Sequence, residues 1–162
     1  MLSKIVELKD LVQITNTARV SGRSIVFTNG CFDIIHVGHL RYLAAARSEG
    51  DMLVVGINSD ASVRLIKPQN RPIMPQDQRV EVLAGLECVD YVIIFDEPDP
   101  LSLIMALKPD VLLKGADWKE SEIIGADFVK ARGGSVVRVD LVPDISTSQI
   151  IQRIVKRYAT SQ

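Results

Sequence analysis

The chain has 162 residues, 47% of them hydrophobic, and its 19 basic and 20 acidic side chains nearly cancel. That length and apolar share support one domain over residues 1–162 with one substantial core, and the balanced charge supplies no field to recruit nucleic acid or an anionic membrane. Cys31 and Cys88 form neither a disulfide framework nor a metal-ligand spacing, no apolar run spans a membrane, and "MLSKIVELKD" mixes charges too early for a secretory signal, so a cytoplasmic protein is expected.

In chain order, helical periodicity predicts a first helix near residues 5–20, followed by a strand in "SIVFT" (24–28) and a helix over 38–48 that Gly50 stops. A second strand, "MLVVGI" (52–57), precedes helices over 60–66 and 76–87, the latter opened by Pro75. The strand "YVIIF" (91–95), a helix over 100–107, the strand "VLLK" (111–114) and a helix over 122–131 continue the alternation. Gly133-Gly134 turns the chain into "SVVRV" (135–139), and a last helix spans 147–158. In that helix Ile150, Ile151, Ile154, Val155 and Tyr158 share one stripe, which predicts packing on the sheet. Strands apolar throughout, alternating with helices, predict an α/β fold: a doubly wound, parallel, five-stranded, Rossmann-like sheet of order 3-2-1-4-5. Ligands in such sheets bind beyond the carboxyl ends, where strand order reverses between strands 1 and 4.

The stretch "FTNGCFDIIHVGHL" leaves strand 1 at that point, and "KGADW" (114–118) leaves strand 4 at the same edge. Thr28-Asn29-Gly30 provides a tight turn with amides facing the crevice, and Gly38 sits where the next helix begins, its free N–H groups and positive dipole end suited to an anion. The chain's two histidines, His36 and His39, fall in the first helical turn three residues apart, so both rings can donate to one phosphate chain. No third ligand stands at a spacing that zinc would need. The fingerprint GxGxxG is absent after strand 1, which argues against a dinucleotide oxidoreductase. Cys31 has no additional histidine as its base, so a thiol nucleophile is disfavoured. Asp33 reads either as a turn residue or as a neighbour of a magnesium-bound phosphate.

"GCFDIIHVGH" resembles the GxFDxxHxGH signature of the nucleotidyltransferase superfamily, whose members transfer a nucleoside monophosphate from a nucleoside triphosphate to a phosphorylated acceptor. The blocks "GINSDASVR", "RPIMPQDQRVEVLAGLECVDYVIIFDE", "KPDVLLKGADW" and "ISTSQII" extend the likeness along almost the whole chain to the bacterial heptose 1-phosphate adenylyltransferases, in which the domain occurs alone or fused to a heptose kinase. The resemblance implies His36 and His39 on the triphosphate, with Thr28, Asn29, Gly30, Phe32 and Gly38 lining the nucleotide. It implies an acceptor-side loop at Asn58 and Asp60, although Asp60 reads equally as a helix cap. Lys67 and Arg71 read either as phosphate contacts or as solvated loop residues. Arg79 shares a stripe with Val82, Leu83 and Leu86, and a charge there needs a partner, which a phosphate would supply. Lys114 ends a strand where a core lysine is costly, which points it toward nucleotide or phosphate, with Gly115 beside it. Asp117 serves ribose or caps, Trp118 stacks on a base or closes an apolar edge, and Ser146, Thr147 and Ser148 open the last helix against the triphosphate.

The reaction implied is attack of a sugar 1-phosphate oxygen on the α-phosphorus of ATP, with Mg2+ accompanying the nucleotide. The acceptor phosphate is ionised near neutral pH, so no protein base is required. His36, His39, Lys114 and Arg79 are the expected catalytic group, and the resemblance also implies a homodimer or higher homo-oligomer. The alternatives are a cytidylyltransferase acting on glycerol 3-phosphate or a related acceptor, and a nucleotide-binding module without turnover.

Overall fold

Side chains alternate between the two faces of every strand, and here both faces are apolar. In the computed structural model, which describes residues 2–68 and 70–159, β1 (Ile25–Gly30), β2 (Met52–Asn58), β3 (Tyr91–Phe95), β4 (Val111–Gly115) and β5 (Ser135–Val139) form one parallel sheet of order β3-β2-β1-β4-β5. The expected topology is borne out. Ile25 and Phe27 of β1, Met52 and Val54 of β2 and Leu112 of β4 point to one face. There they meet α1 (Leu8–Val20), α5 (Leu101–Leu107) and α6 (Ala126–Ala131). Val26, Leu53, Val55, Ile57 and Leu113 point the other way, onto Leu43 and Ala46 of α2 (Val37–Ser48) and Val80 and Leu83 of α4 (Gln76–Ala84). A short α3 (Asp60–Ile66) follows β2, and α7 (Thr147–Tyr158) ends the described chain.

The amino ends of the strands are closed by carboxylates. Asp110 accepts from Ile25 N at 2.8 Å, Asp90 from Leu53 N at 2.8 Å, and Asp51 from Ser24 N at 2.9 Å. The opposite edge of the sheet is thereby left as the place for ligands.

Four expectations need correction. The first helix starts at Leu8 rather than near residue 5, because Ile5 bridges Val92 and Val6 N donates to Val92 O at 3.1 Å, covering the free edge of β3. The fourth helix stops at Ala84 with Gly85 as its cap, three residues short of 87. The sixth begins at Ala126, since Gly125 holds φ +87° and breaks any helix from 122. The stripe on α7 does not pack on the sheet: no α7 residue is buried, and Ile154, Val155 and Tyr158 are 49%, 56% and 74% exposed.

Candidate active site

The crevice begins where two central strands stop pairing. β1 and β4 are joined only at Val26–Val111 and Phe27–Leu112, after which they part. Tyr42 of α2 spans the gap, its hydroxyl 2.7 Å from Thr28 Oγ1 and donating to Leu113 O at 3.2 Å. One step further out, Lys114 Nζ donates to Asn29 Oδ1. Above these ties lies a cavity of about 620 Å³.

The histidine pair stands at its wall. His36 is the N-cap of α2 in extended conformation, and its side chain makes no capping bond, so the helix start keeps its amides for a ligand. His39, one turn on, stacks against it with ring centroids 3.9 Å apart and planes 21° apart. Phe32 touches His39 edge-on at 5.3 Å and holds φ +45°, a left-handed conformation kept by its nearly complete burial. Gly38 makes the stack possible: a Cβ there would lie 2.9 Å from the His36 ring and 3.3 Å from Ile145. The start of α7 is therefore packed against the start of α2. Ser146 caps α7, accepting from Gln149 N at 3.2 Å, and Ser146, Thr147 and Ser148 all line the cavity.

The Nδ1 atoms of both histidines are buried and lack a hydrogen-bond partner within the protein. Burial pushes His39 down to about 4, the neighbouring His36 adds to this, and the Ile34 backbone opposes it in part; burial also lowers His36. The free site thus presents neutral imidazoles at neutral pH. Burial likewise lowers Lys114 to about 8, against the pull of Asp117 and Cys31, so this lysine is charged at neutral pH but close to titrating. Its Nζ lies 5.8 Å from the centre of the Trp118 ring, on the same wall as Asp117 and Gly115. Burial raises the Cys31 thiol, which keeps it protonated and agrees with the reading against a thiol nucleophile.

On the other side of the crevice, polar groups are already engaged. Burial would raise the Asp33 carboxyl, but the amides of Met74 and Ile73 and the Arg71 guanidinium hold it below the usual range. Both amides lie at 2.8 Å from Oδ1, and Arg71 Nε pairs with Oδ2. Of the two readings left open for Asp33, the turn residue is the one its contacts favour. Asn58 is buried, donates to Ser62 Oγ at 2.9 Å and lines the cavity with Lys67 and Arg71.

Arg79 requires correction. It is 1% exposed, does not line the cavity, and finds its partners within the protein: Asp60 Oδ1 at 2.7 Å and the carbonyls of Asn58, Met74 and Cys31. A phosphate is not needed to satisfy its charge. Asp60 accordingly serves as its counter-ion rather than as a cavity residue, and its amide bonds Gln76 Oε1 at 2.8 Å. Thr28 also lies beneath the cavity floor, fully buried and turned to Tyr42. The other expected residues, Asn29, Gly30, Phe32, Asp33, His36, Gly38, His39, Asn58, Lys67, Arg71, Lys114, Gly115, Asp117 and Ser146 to Ser148, come together on its wall. Tyr42 was not anticipated. Its signal is a phenol one turn beyond His39 on a helix face that must be buried, where the hydroxyl needs a partner. The apolar wall of Leu141, Val142 and Ile145 was not anticipated either.

A parallel sheet split at its switch point, with stacked histidines at a helix mouth in the split, is the architecture of a nucleotidyltransferase. The chain belongs to the cytidylyltransferase-like family, whose model matches residues 27–153. The bifunctional protein HldE of Syntrophotalea carbinolica is 48% identical over 156 residues, which are 96% of this chain and 32% of that protein. HldE of Campylobacter concisus is 53% identical over 149 residues, 91% of this chain and 31% of that one. The chain thus spans about a third of the length of these curated relatives. A crystal structure of the lipopolysaccharide core biosynthesis protein from Thermoplasma volcanium matches with a TM-score of 0.62 at 30% identity, covering 75% of this chain and 98% of that one. A pantoate-beta-alanine ligase from Francisella tularensis matches in fold alone, with a TM-score of 0.61 at 17% identity over 98% of this chain and 81% of that one.

Proposed function

We propose that the chain transfers AMP from ATP to D-glycero-β-D-manno-heptose 1-phosphate, releasing pyrophosphate and giving ADP-heptose for lipopolysaccharide core assembly in the cytoplasm. The observation that carries this reading is the stacked pair of His36 and His39, with unpartnered Nδ1 atoms, at the mouth of α2. Similarity to HldE over 96% of the chain supports the choice of acceptor. A heptose kinase would act upstream of that acceptor, and a homo-oligomer is the assembly proposed for the active form.

In this reaction an acceptor phosphate oxygen forms a bond to the α-phosphorus while the bond to the β-phosphate bridging oxygen breaks. Negative charge moves onto the departing pyrophosphate. The α2 amides, His36, His39 and the hydroxyls of Ser146, Thr147 and Ser148 receive that charge, donating hydrogen bonds from groups held in place beforehand. Lys114, held by Asn29, brings a positive charge to the same wall. Lys67 and Arg71 take the acceptor phosphate, so the two anions are aligned by the protein rather than by diffusion. Magnesium bound with ATP would neutralise part of the triphosphate charge.

The test is to combine the protein with ATP, magnesium and heptose 1-phosphate and follow pyrophosphate. Stoichiometric release with formation of ADP-heptose is expected. Release with CTP in place of ATP, or none with the folded protein, refutes the reading.

A further inference from the structure

Among the described residues Arg79 is the bulkiest of the fully buried side chains, and burying a guanidinium costs more than burying an apolar side chain of like size. Its contacts indicate what that cost accomplishes. Nε donates to Met74 O at 3.0 Å, Nη1 to Cys31 O, and Nη2 to Asn58 O at 2.9 Å and Asp60 Oδ1 at 2.7 Å. Four segments meet at one planar group: the loop leaving β1, the end of β2, the start of α3 and the loop entering α4. Asp33 ties two of the same segments from the other side, accepting from the amides of Ile73 and Met74 and from Arg71 Nε.

The loops joined in this way face different parts of the crevice. Residues 29–36 carry Asn29, Phe32 and His36, while residues 67–75, between the end of α3 and the start of α4, carry Lys67 and Arg71. The first loop is also held by β1 below and α2 beyond it. Among its described residues the second has no strand or helix of its own, and Met74, Ile73 and Arg71 fasten it to the body.

We propose that Arg79 and Asp33 are positioning residues that form a two-point latch, setting the distance between the nucleotide-side loop and the acceptor-side loop. The latch rests on the reading above that Lys67 and Arg71 receive the acceptor phosphate. Because the first loop is held by β1 and α2 as well as by the latch, loosening the latch impairs the acceptor and its alignment more than it impairs the nucleotide.

The experiment compares the full chain with Arg79→Lys, Arg79→Met and Asp33→Asn. ATP affinity is read from the fluorescence of Trp118, the chain's single tryptophan, which lies on the cavity wall. Acceptor KM and kcat are read from pyrophosphate release, and loop mobility from amide hydrogen exchange. Arg79→Met is expected to raise acceptor KM about tenfold and lower kcat by up to about 100-fold, the scale of an ångström misplacement, while ATP affinity stays within about twofold. Exchange at residues 71–75 accelerates while α1 on the far face of the sheet is unchanged. Arg79→Lys, which keeps a donor, recovers part of the loss, and Asp33→Asn falls between. Equal weakening of ATP and acceptor, or uniformly faster exchange across the chain, overturns the latch and leaves Arg79 with a general stabilising role. If the wild type does not turn over heptose 1-phosphate, the assignment of the acceptor fails, and exchange with the ATP titration still decides the latch. Unchanged exchange at 71–75 in folded Arg79→Lys or Asp33→Asn overturns it.

Discussion

The α2 side of the crevice and the Arg79 side are built from similar materials used in opposite ways. At α2, two imidazole Nδ1 atoms are buried without partners and the helix start lacks a side-chain cap. Around Arg79 and Asp33, the charged groups are bonded to the protein's own carbonyls, amides and counter-ions. Unpaired polar capacity is expensive in a buried place, and on the cavity wall a ligand would satisfy it. Arg19 Nε, buried without a partner and outside that cavity, shows that such an atom alone does not mark a site. Where the capacity is filled, the residue fixes geometry. Arg79 and Lys114 illustrate the contrast: Arg79 is buried outside the cavity among carbonyl and carboxylate partners, and Lys114 lines the cavity.

The strongest way to break this comparison is to remove the unpaired side. His36→Ala and His39→Ala are each expected to lower turnover on the order of 100-fold or more, the usual loss for one transition-state donor. Pyrophosphate release measures it, with circular dichroism checking the fold. A loss no larger than that of an exposed control substitution would remove the distinction between the two sides.

A smaller effect sharpens the role of Lys114. Burial favours its neutral form, so the free protein loses this charge as pH rises through about 8. The value of kcat/KM reports the free enzyme and is expected to fall over that range, and Lys114→Met should lower the plateau and abolish the alkaline limb. A limb that survives the substitution belongs to another group.

The smallest expected effect is at Tyr42, whose hydroxyl ties Thr28 to Leu113 beneath both sides. Tyr42→Phe leaves the ring packed and removes the tie, costing about 1–2 kcal/mol in urea unfolding. Turnover should change less than it does for either histidine.

The strands, their order and the convergence of the histidine loop with "KGADW" could all be read from the sequence. Each rests on a short-range pattern: apolar runs, a helical spacing of three, and glycine at a turn. What could not be read depends on partners far along the chain. Arg79 finds Cys31 O across 48 positions, so the helical stripe could not name its partner, and of the three apolar residues expected beside it Leu83 is buried while Val82 is 47% exposed. The α7 stripe likewise announces an apolar face without saying what covers it, and no residue of α7 is buried. Ile5 lies inside a stretch of helical period, and only the free edge of β3 explains why it pairs with Val92 instead.

The early parting of β1 from β4 carries one more consequence. A sheet whose middle is zipped for only two rungs opens like a wedge at its carboxyl edge, with Asn29 and Gly115 lining the cavity from either lip. A ligand that binds the folded chain there would brace the scaffold from within, and the folded state would gain stability with the logarithm of ligand concentration once that exceeds the dissociation constant.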